Sequence, residues 1–215
     1  MSDNASHITA RVTARALLDA GAFLIRPDEP FRLTSGLLAP IYVNCRLILG
    51  HARARADIAD ALAADVATRG GDIVAGGVTA GVPFATMVAD RLGLPLTYVR
   101  PQPKSHGTGG QIEGAEVSGR KVVLVEDLIT SAKSIVLFTN ALRGAGATVD
   151  HASVVFARMT DAAQPALDQL GLSLNVLCDM ETLLEMAQEE GAASAAEIAE
   201  VRAYLADAEG WSASR

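Results

Sequence analysis

The sequence predicts an α/β protein in which a mainly parallel, twisted sheet is flanked by helices. Three observations carry that prediction. Strand and helix signals alternate along the chain, as in βαβ units. Short apolar runs such as Val122–Val125 have the length of strands buried on both faces. Alanine-rich helical stretches end at Gly21, Gly70–Gly71 and Gly93, where a helix C-terminus favours glycine.

Taken in order, Thr9–Ala20 has helical periodicity and stops at Gly21. Extended pieces follow at Ala22–Ile25, Phe31–Leu33 and Ile41–Asn44, and the portion to about Arg46 fits a small N-terminal cap better than the sheet. Ala52–Thr68 is a helix. Asp72–Ala75 begins a buried strand that runs into the glycine-rich stretch Gly76–Pro83, and a helix continues from Pro83 to Leu92. Leu96–Arg100 is a strand, followed by a polar loop over about 101–119. Strand Val122–Val125 leads to helix Ser134–Gly144, and Val149–Ala157 to the short helix Gln164–Leu170. Leu174–Cys178 is the last strand. Helices at Glu181–Glu189 and Ala195–Ala208 close the chain, the latter read as structural. Residues 1–215 form one domain, with neither an internal repeat nor a low-complexity linker.

Composition removes several function classes. Half of the residues are hydrophobic, yet no uninterrupted apolar stretch approaches membrane-spanning length. Met1–Ala10 lacks the charged start and apolar core of a signal peptide. Cys45 and Cys178 cannot make a disulfide framework, and no Cys/His spacing reads as a zinc site. The expectation is a soluble cytoplasmic protein. A net charge of −7 argues against non-specific nucleic-acid binding, which needs a basic surface.

The segment Lys121–Ser134 carries the strongest chemical signal. Glu126 and Asp127 directly follow the buried run, and Thr130, Ser131 and Ser134 precede the helix. Acids at the carboxyl end of a buried strand face the crevice where open α/β sheets bind ligands. Hydroxyls and free N–H groups at the next helix N-terminus suit a phosphate. Together they point to a phosphorylated sugar. The loop from Arg100 to Gly119 is nearly free of apolar residues and holds Arg100, Lys104 and His106 within seven positions. By itself it reads either as a solvated stretch with scattered charge or as a lid closing cations over an anion. Lys133-Ser134 is preceded by Ala132, which excludes a Walker A loop, and the loop glycines neither follow a strand directly nor open a helix, which excludes the dinucleotide fingerprint.

Three segments resemble the orotate phosphoribosyltransferases, a type I phosphoribosyltransferase family. Phe31–Gly36 with Pro40–Asn44 is similar to the hood that covers the base. Lys104–Gly114 is similar to the catalytic loop, and Glu126–Thr130 to the signature for phosphoribosyl pyrophosphate (PRPP). The resemblance implies the type I fold with a small N-terminal hood, and magnesium-dependent transfer of a phosphoribosyl group from PRPP to orotate in pyrimidine (UMP) biosynthesis.

The roles it implies fall on named positions. Arg100, Lys104 and His106 would contact pyrophosphate from the neighbouring subunit's loop, hence a homodimer; Lys104 and His106 would be catalytic. Glu126 and Asp127 would hold the ribose hydroxyls, and Leu128, Ile129, Thr130, Ser131, Ala132, Lys133 and Ser134 would complete the PRPP site around the 5′-phosphate. Thr130, Arg158, Thr34 and Ser35 would contact orotate, Arg158 by gripping the carboxylate with its guanidinium. Mg2+ would be held mainly through PRPP, with few protein ligands.

This chain departs from the family pattern where Ala80 and Pro101 replace common lysines, and where Ala132-Lys133 replaces the usual phosphate-loop glycines. A β-carbon at a positive-φ position there costs on the order of 1 kcal/mol. Two alternatives therefore stay open: a PRPP-binding regulator or degenerate homologue without turnover, and a phosphoribosyltransferase for another base.

Overall fold

The computed structural model describes residues 3–33, 35–103 and 110–215, with side chains from residue 5 onward. Ten strands and eight helices follow one another along the described chain. The hood consists of β1 (Phe23–Ile25), β2 (Phe31–Arg32), β3 (Leu38–Ala39) and β4 (Ile41–Val43). It lies between helix α1 (Asp3–Asp19) and a 3-10 segment, Cys45–Gly50. Then come α2 (Ala52–Arg69), β5 (Ile73–Gly77), α3 (Gly81–Leu92), β6 (Leu96–Val99) and β7 (Ile112–Gly114). The second half contains β8 (Lys121–Ile129), α4 (Lys133–Gly144), β9 (Thr148–Ala157), α5 (Ala163–Leu170) and β10 (Ser173–Asp179). It closes with α6 (Met180–Glu189), α7 (Ala195–Ala206) and α8 (Ala208–Ala213).

Six strands form the main sheet in the order β10-β9-β8-β5-β6-β7, parallel throughout except for the antiparallel edge strand β7. The two-residue period of a strand decides what each face buries. In β8, Val123 and Val125 join the core under α1, α2, α3, α6 and α7, built from residues such as Leu17, Leu62, Phe84 and Leu184. Val122 and Leu124 point the other way, into the core that Ile135, Phe138 and Leu142 of α4 and Leu167 of α5 complete. Both faces are covered, so the uninterrupted apolar run of β8 has no polar side to show.

Several boundaries differ from those expected. β8 does not stop at Val125; pairing with β9 continues through Glu126↔Val154 to Ile129↔Ala157, so the acid pair lies inside the strand. A partner strand on the ladder overrides the poor strand propensity of acids. β7 falls where the sequence reads as loop, because its pairing comes from the open edge of β6 rather than from its own composition. The hood strands pair only with one another, as β1-β4 and β2-β3, while Ala39 and Ile41 of the hood enter the same core as Ala14 and Leu17 of α1.

One polar group crosses that core. Asp65 of α2, 1% exposed, takes a 3.0 Å contact from Nε2 of His151 on β9 and a 2.8 Å hydrogen bond from Arg69. Burial opposes its ionisation, but the His151 and Arg69 hydrogen bonds outweigh that and hold the carboxyl below its ordinary range.

Candidate active site

The chain runs outward from β5 to β6, then returns to lay β8 on the other side of β5. That reversal opens a crevice at the carboxyl ends of β5 and β8, the place where open α/β sheets take ligands. Two cavities lie in this region. One, of about 400 Å3, is lined by Asn44 and Arg46, by Val78, Thr79 and Ala80 after β5, and by Glu126, Asp127, Ser134 and Phe138. The other, of about 170 Å3, is lined by Leu33, Ile41, Thr130, Phe156 and Arg158. Tyr42, Val43 and Leu128 line both, so the two chambers share a wall.

The acid pair splits across the strand. Asp127 is half-buried toward the larger chamber; burial raises its carboxyl, against the hydrogen bonds of nearby backbone N–H groups and the attraction of Arg46. Glu126 is buried, and its Oε1 has no hydrogen-bond partner. Burial, and then the neighbouring Asp127, push its carboxyl well above the usual range. Two glycines make room for it: an ideal β-carbon at Gly81 would lie 2.6 Å from Oε1, and one at Gly77 would overlap both Oε1 and the Phe138 ring. Glu126 and Asp127 both line the larger chamber, where carboxyl groups suit hydroxyl donors brought by a ligand.

The turn after β8 places Ala132 at φ +60°, ψ 1°, as the residue before α4. It is the one non-glycine residue with positive φ among those described, and it occupies a position where glycine carries no β-carbon penalty. Backbone N–H groups of the first turn of α4 therefore keep the geometry that an anion needs. Lys133 is exposed at the first position of α4, whereas the hydroxyl-bearing Ser134 lines the larger chamber.

Arg158 follows β9 directly. Its N–H donates to the carbonyl of Ile129 at 3.0 Å, and Arg158 lines the smaller chamber beside Thr130. A dry cavity of roughly 150 Å3 accepts a benzene ring, so this chamber is sized for one six-membered ring with a cation at its wall.

Of the other sequence-predicted residues, Arg100 and Ser35 line neither chamber. Arg100 closes β6 and pairs with Glu113 of β7 at 3.5 Å. Ser35 is exposed. Thr34, Lys104 and His106 lie outside the described residues. Among the described residues no group of three or more His, Cys, Asp and Glu side chains is arranged to hold a metal. Sequence reasoning missed Arg46, Thr79 and Tyr204. Arg46 lies just past the hood motif, while Tyr204, whose hydroxyl accepts from Arg158, lies 46 positions away with no local signal.

A ring-sized chamber lined by Arg158 adjoins an acidic cleft and the turn before α4. The protein is an α/β transferase of the phosphoribosyl class: the phosphoribosyl transferase domain model matches residues 48–176. An orotate phosphoribosyltransferase of Cereibacter sphaeroides is 41% identical over 211 residues, spanning 96% of this chain and 91% of the relative. One of Ruegeria is 41% identical over 207 residues, spanning 94% and 92%. The solved orotate phosphoribosyltransferase of Aeropyrum pernix superposes with a TM-score of 0.71 at 34% identity, covering 84% of this chain and 99% of that one. That of Mycobacterium tuberculosis in complex with PRPP gives 0.67 at 26% identity, covering 81% and 98%. The chain belongs to the orotate phosphoribosyltransferase family.

Proposed function

We propose that this protein transfers the phosphoribosyl group of PRPP to a ring nitrogen of orotate, releasing pyrophosphate and forming orotidine 5′-phosphate for pyrimidine synthesis. The observation that carries the reading is the shared wall: Tyr42, Val43 and Leu128 hold a ring chamber directly beside the sugar cleft. A base in one and a ribose in the other would meet across it.

Each residue then has a task that needs no side-chain nucleophile. Glu126 and Asp127, which both line the larger chamber, accept hydrogen bonds from the ribose hydroxyls. The turn through Ser131, Ala132, Lys133 and Ser134 receives the 5′-phosphate. Thr130 and Arg158 hold orotate, the guanidinium taking the carboxylate bidentately. The bond from ribose C1 to the pyrophosphate oxygen breaks as the bond to the ring nitrogen forms, and the proton that nitrogen carried passes to the departing pyrophosphate or to solvent. Positive charge grows on the sugar and negative charge on the leaving group. Lys104 and His106 are assigned to stabilise that leaving group, from the partner subunit's loop in a homodimer. Closure of the chamber keeps water from the sugar cation.

Mg2+, when bound with PRPP, neutralises pyrophosphate charge. The ion would be held mostly by substrate and water beside Glu126 and Asp127, which line the larger chamber. The αL backbone of Ala132 preserves the turn that glycine would make, which favours a working enzyme over a degenerate homologue. No described helix is long and apolar enough to cross a membrane, in keeping with an enzyme acting on dissolved metabolites in the cytoplasm.

The test is a magnesium-dependent assay of the purified protein with PRPP and orotate, uracil, adenine or hypoxanthine. Pyrophosphate release with orotate alone is expected. Tight PRPP binding without turnover on any base would sink the proposal.

A further inference from the structure

The C-terminal helices α7 and α8 have no part in the roles assigned so far, yet they reach the ring chamber from behind. Arg158 Nη1 donates a 3.2 Å hydrogen bond to the Tyr204 hydroxyl, and the guanidinium carbon lies 5.9 Å from the centre of the Tyr204 ring. Tyr204 is buried at 3% exposure and does not line the chamber itself. Its ring meets Trp211 of α8 edge-on, at 5.7 Å and 81°. Trp211 is held in turn: its Nε1 donates to Glu200 at 3.0 Å. The next residue, Ser212, accepts the Leu38 N–H of hood strand β3 at 2.9 Å.

We propose that Tyr204 is the positioning residue that presets the Arg158 guanidinium for the carboxylate of the incoming base. An arginine free in an open chamber carries rotamer entropy that a ligand must remove on binding. Here one Nη is already anchored on a buried hydroxyl. That fixes the plane of the fork and leaves the other donors for a bidentate contact. The aromatic pair beneath makes the anchor rigid, and the Ser212 contact ties it to the hood over the same chamber. Selectivity for a carboxylated ring is thus set from outside the cavity. The inference rests on the proposed assignment of Arg158 to the base carboxylate.

Steady-state kinetics of Tyr204→Phe, Arg158→Ala and the double variant test both layers separately. Phe keeps the ring stack on Trp211 and removes only the hydroxyl. Tyr204→Phe should raise KM for orotate about fivefold to tenfold, with kcat and the KM for PRPP within twofold of the parent. In the Arg158→Ala background the same change should have no further effect on orotate, because the two residues act as one unit. An unchanged orotate KM in Tyr204→Phe overturns the positioning role. So does an equal rise in both backgrounds, or a matching rise for PRPP, since either marks a general packing effect. If Arg158→Ala itself leaves orotate KM unchanged, the base-site assignment fails instead. Should Tyr204→Phe fold poorly, Ser212→Ala provides the second measurement. It loosens α8 from the hood while keeping Tyr204, and should raise only the orotate KM; a rise for PRPP or none at all counts against the proposal.

Discussion

Glu126 occupies the space that a side chain at Gly77 would need: a β-carbon there would overlap Oε1 and the Phe138 ring. The glycine and the acid therefore form a matched pair across adjacent strands. Gly77→Ala should destabilise the protein by about 1–3 kcal/mol through overpacking and drive the carboxylate out of place. Denaturant unfolding reads the first effect, and PRPP titration the second. An alanine variant with unchanged PRPP affinity would show that Glu126 has another place to go.

Burial and Asp127 hold the Glu126 carboxyl well above its ordinary value of 4.5. The unliganded folded state thus retains this proton more tightly than the unfolded chain does. Linkage then fixes the sign: stability contributed by the protonated form is present below 4.5 and declines as pH rises toward the elevated value. Glu126→Gln cannot ionise, so thermal melts across pH 5–8 should show the variant gaining on the parent as pH rises. PRPP affinity should fall in the same variant. A stability difference independent of pH would contradict the assigned shift.

Ala132 holds φ +60°, a conformation that disfavours a β-carbon by roughly 1–2 kcal/mol. Ala132→Gly removes that strain but frees the unfolded chain, which offsets about 0.4–1 kcal/mol. A net gain of up to about 1.6 kcal/mol in unfolding free energy is expected, with PRPP affinity retained. Urea unfolding measures it; a loss of stability would mean that the Ala132 methyl, packed in the core against α4, outweighs its strain.

The buried Asp65–His151 contact ties α2 to β9. Removing the carboxylate leaves the buried Nε2 of His151 without its partner, so Asp65→Ala should cost about 1–3 kcal/mol. Because the Asp65 carboxyl lies below its ordinary range, its stabilisation is present above the unfolded value near 3.8 and disappears as pH falls through the depressed folded value. Acid unfolding of Asp65→Asn should accordingly be flatter than that of the parent. Parallel acid transitions would remove the Asp65 carboxylate from the account.

A loop that works across a dimer makes a distinct prediction. Subunits carrying Lys104→Ala, mixed with subunits carrying Asp127→Ala, should recover activity in heterodimers that join one intact loop to one intact cleft. With random pairing about a quarter of the parent activity is the ceiling, given half heterodimers with one working site each. Mixtures no more active than either variant would place the loop on its own subunit.

What the sequence alone determined was local and periodic. Val122–Val125 read as a strand buried on both faces, and Gly70 and Gly93 ended their helices in the left-handed conformation they permit. The order of elements sufficed for an α/β sheet with the acids at its ligand-binding edge. The positive φ of Ala132 was visible as a question, because a turn of that shape ordinarily takes glycine.

Only the tertiary structure decided the rest, since it depends on partners far apart in the chain. β9 extended β8 through Glu126 and Asp127, and the β6 edge turned Ile112–Gly114 into a strand. Packing against Gly77, Gly81 and Phe138 set the two acids in unlike environments that adjacent positions cannot reveal. Tyr204 reached Arg158 across 46 residues. Periodicity reports which face of an element is apolar, whereas burial, pairing register and side-chain anchoring arise only when those faces close on one another.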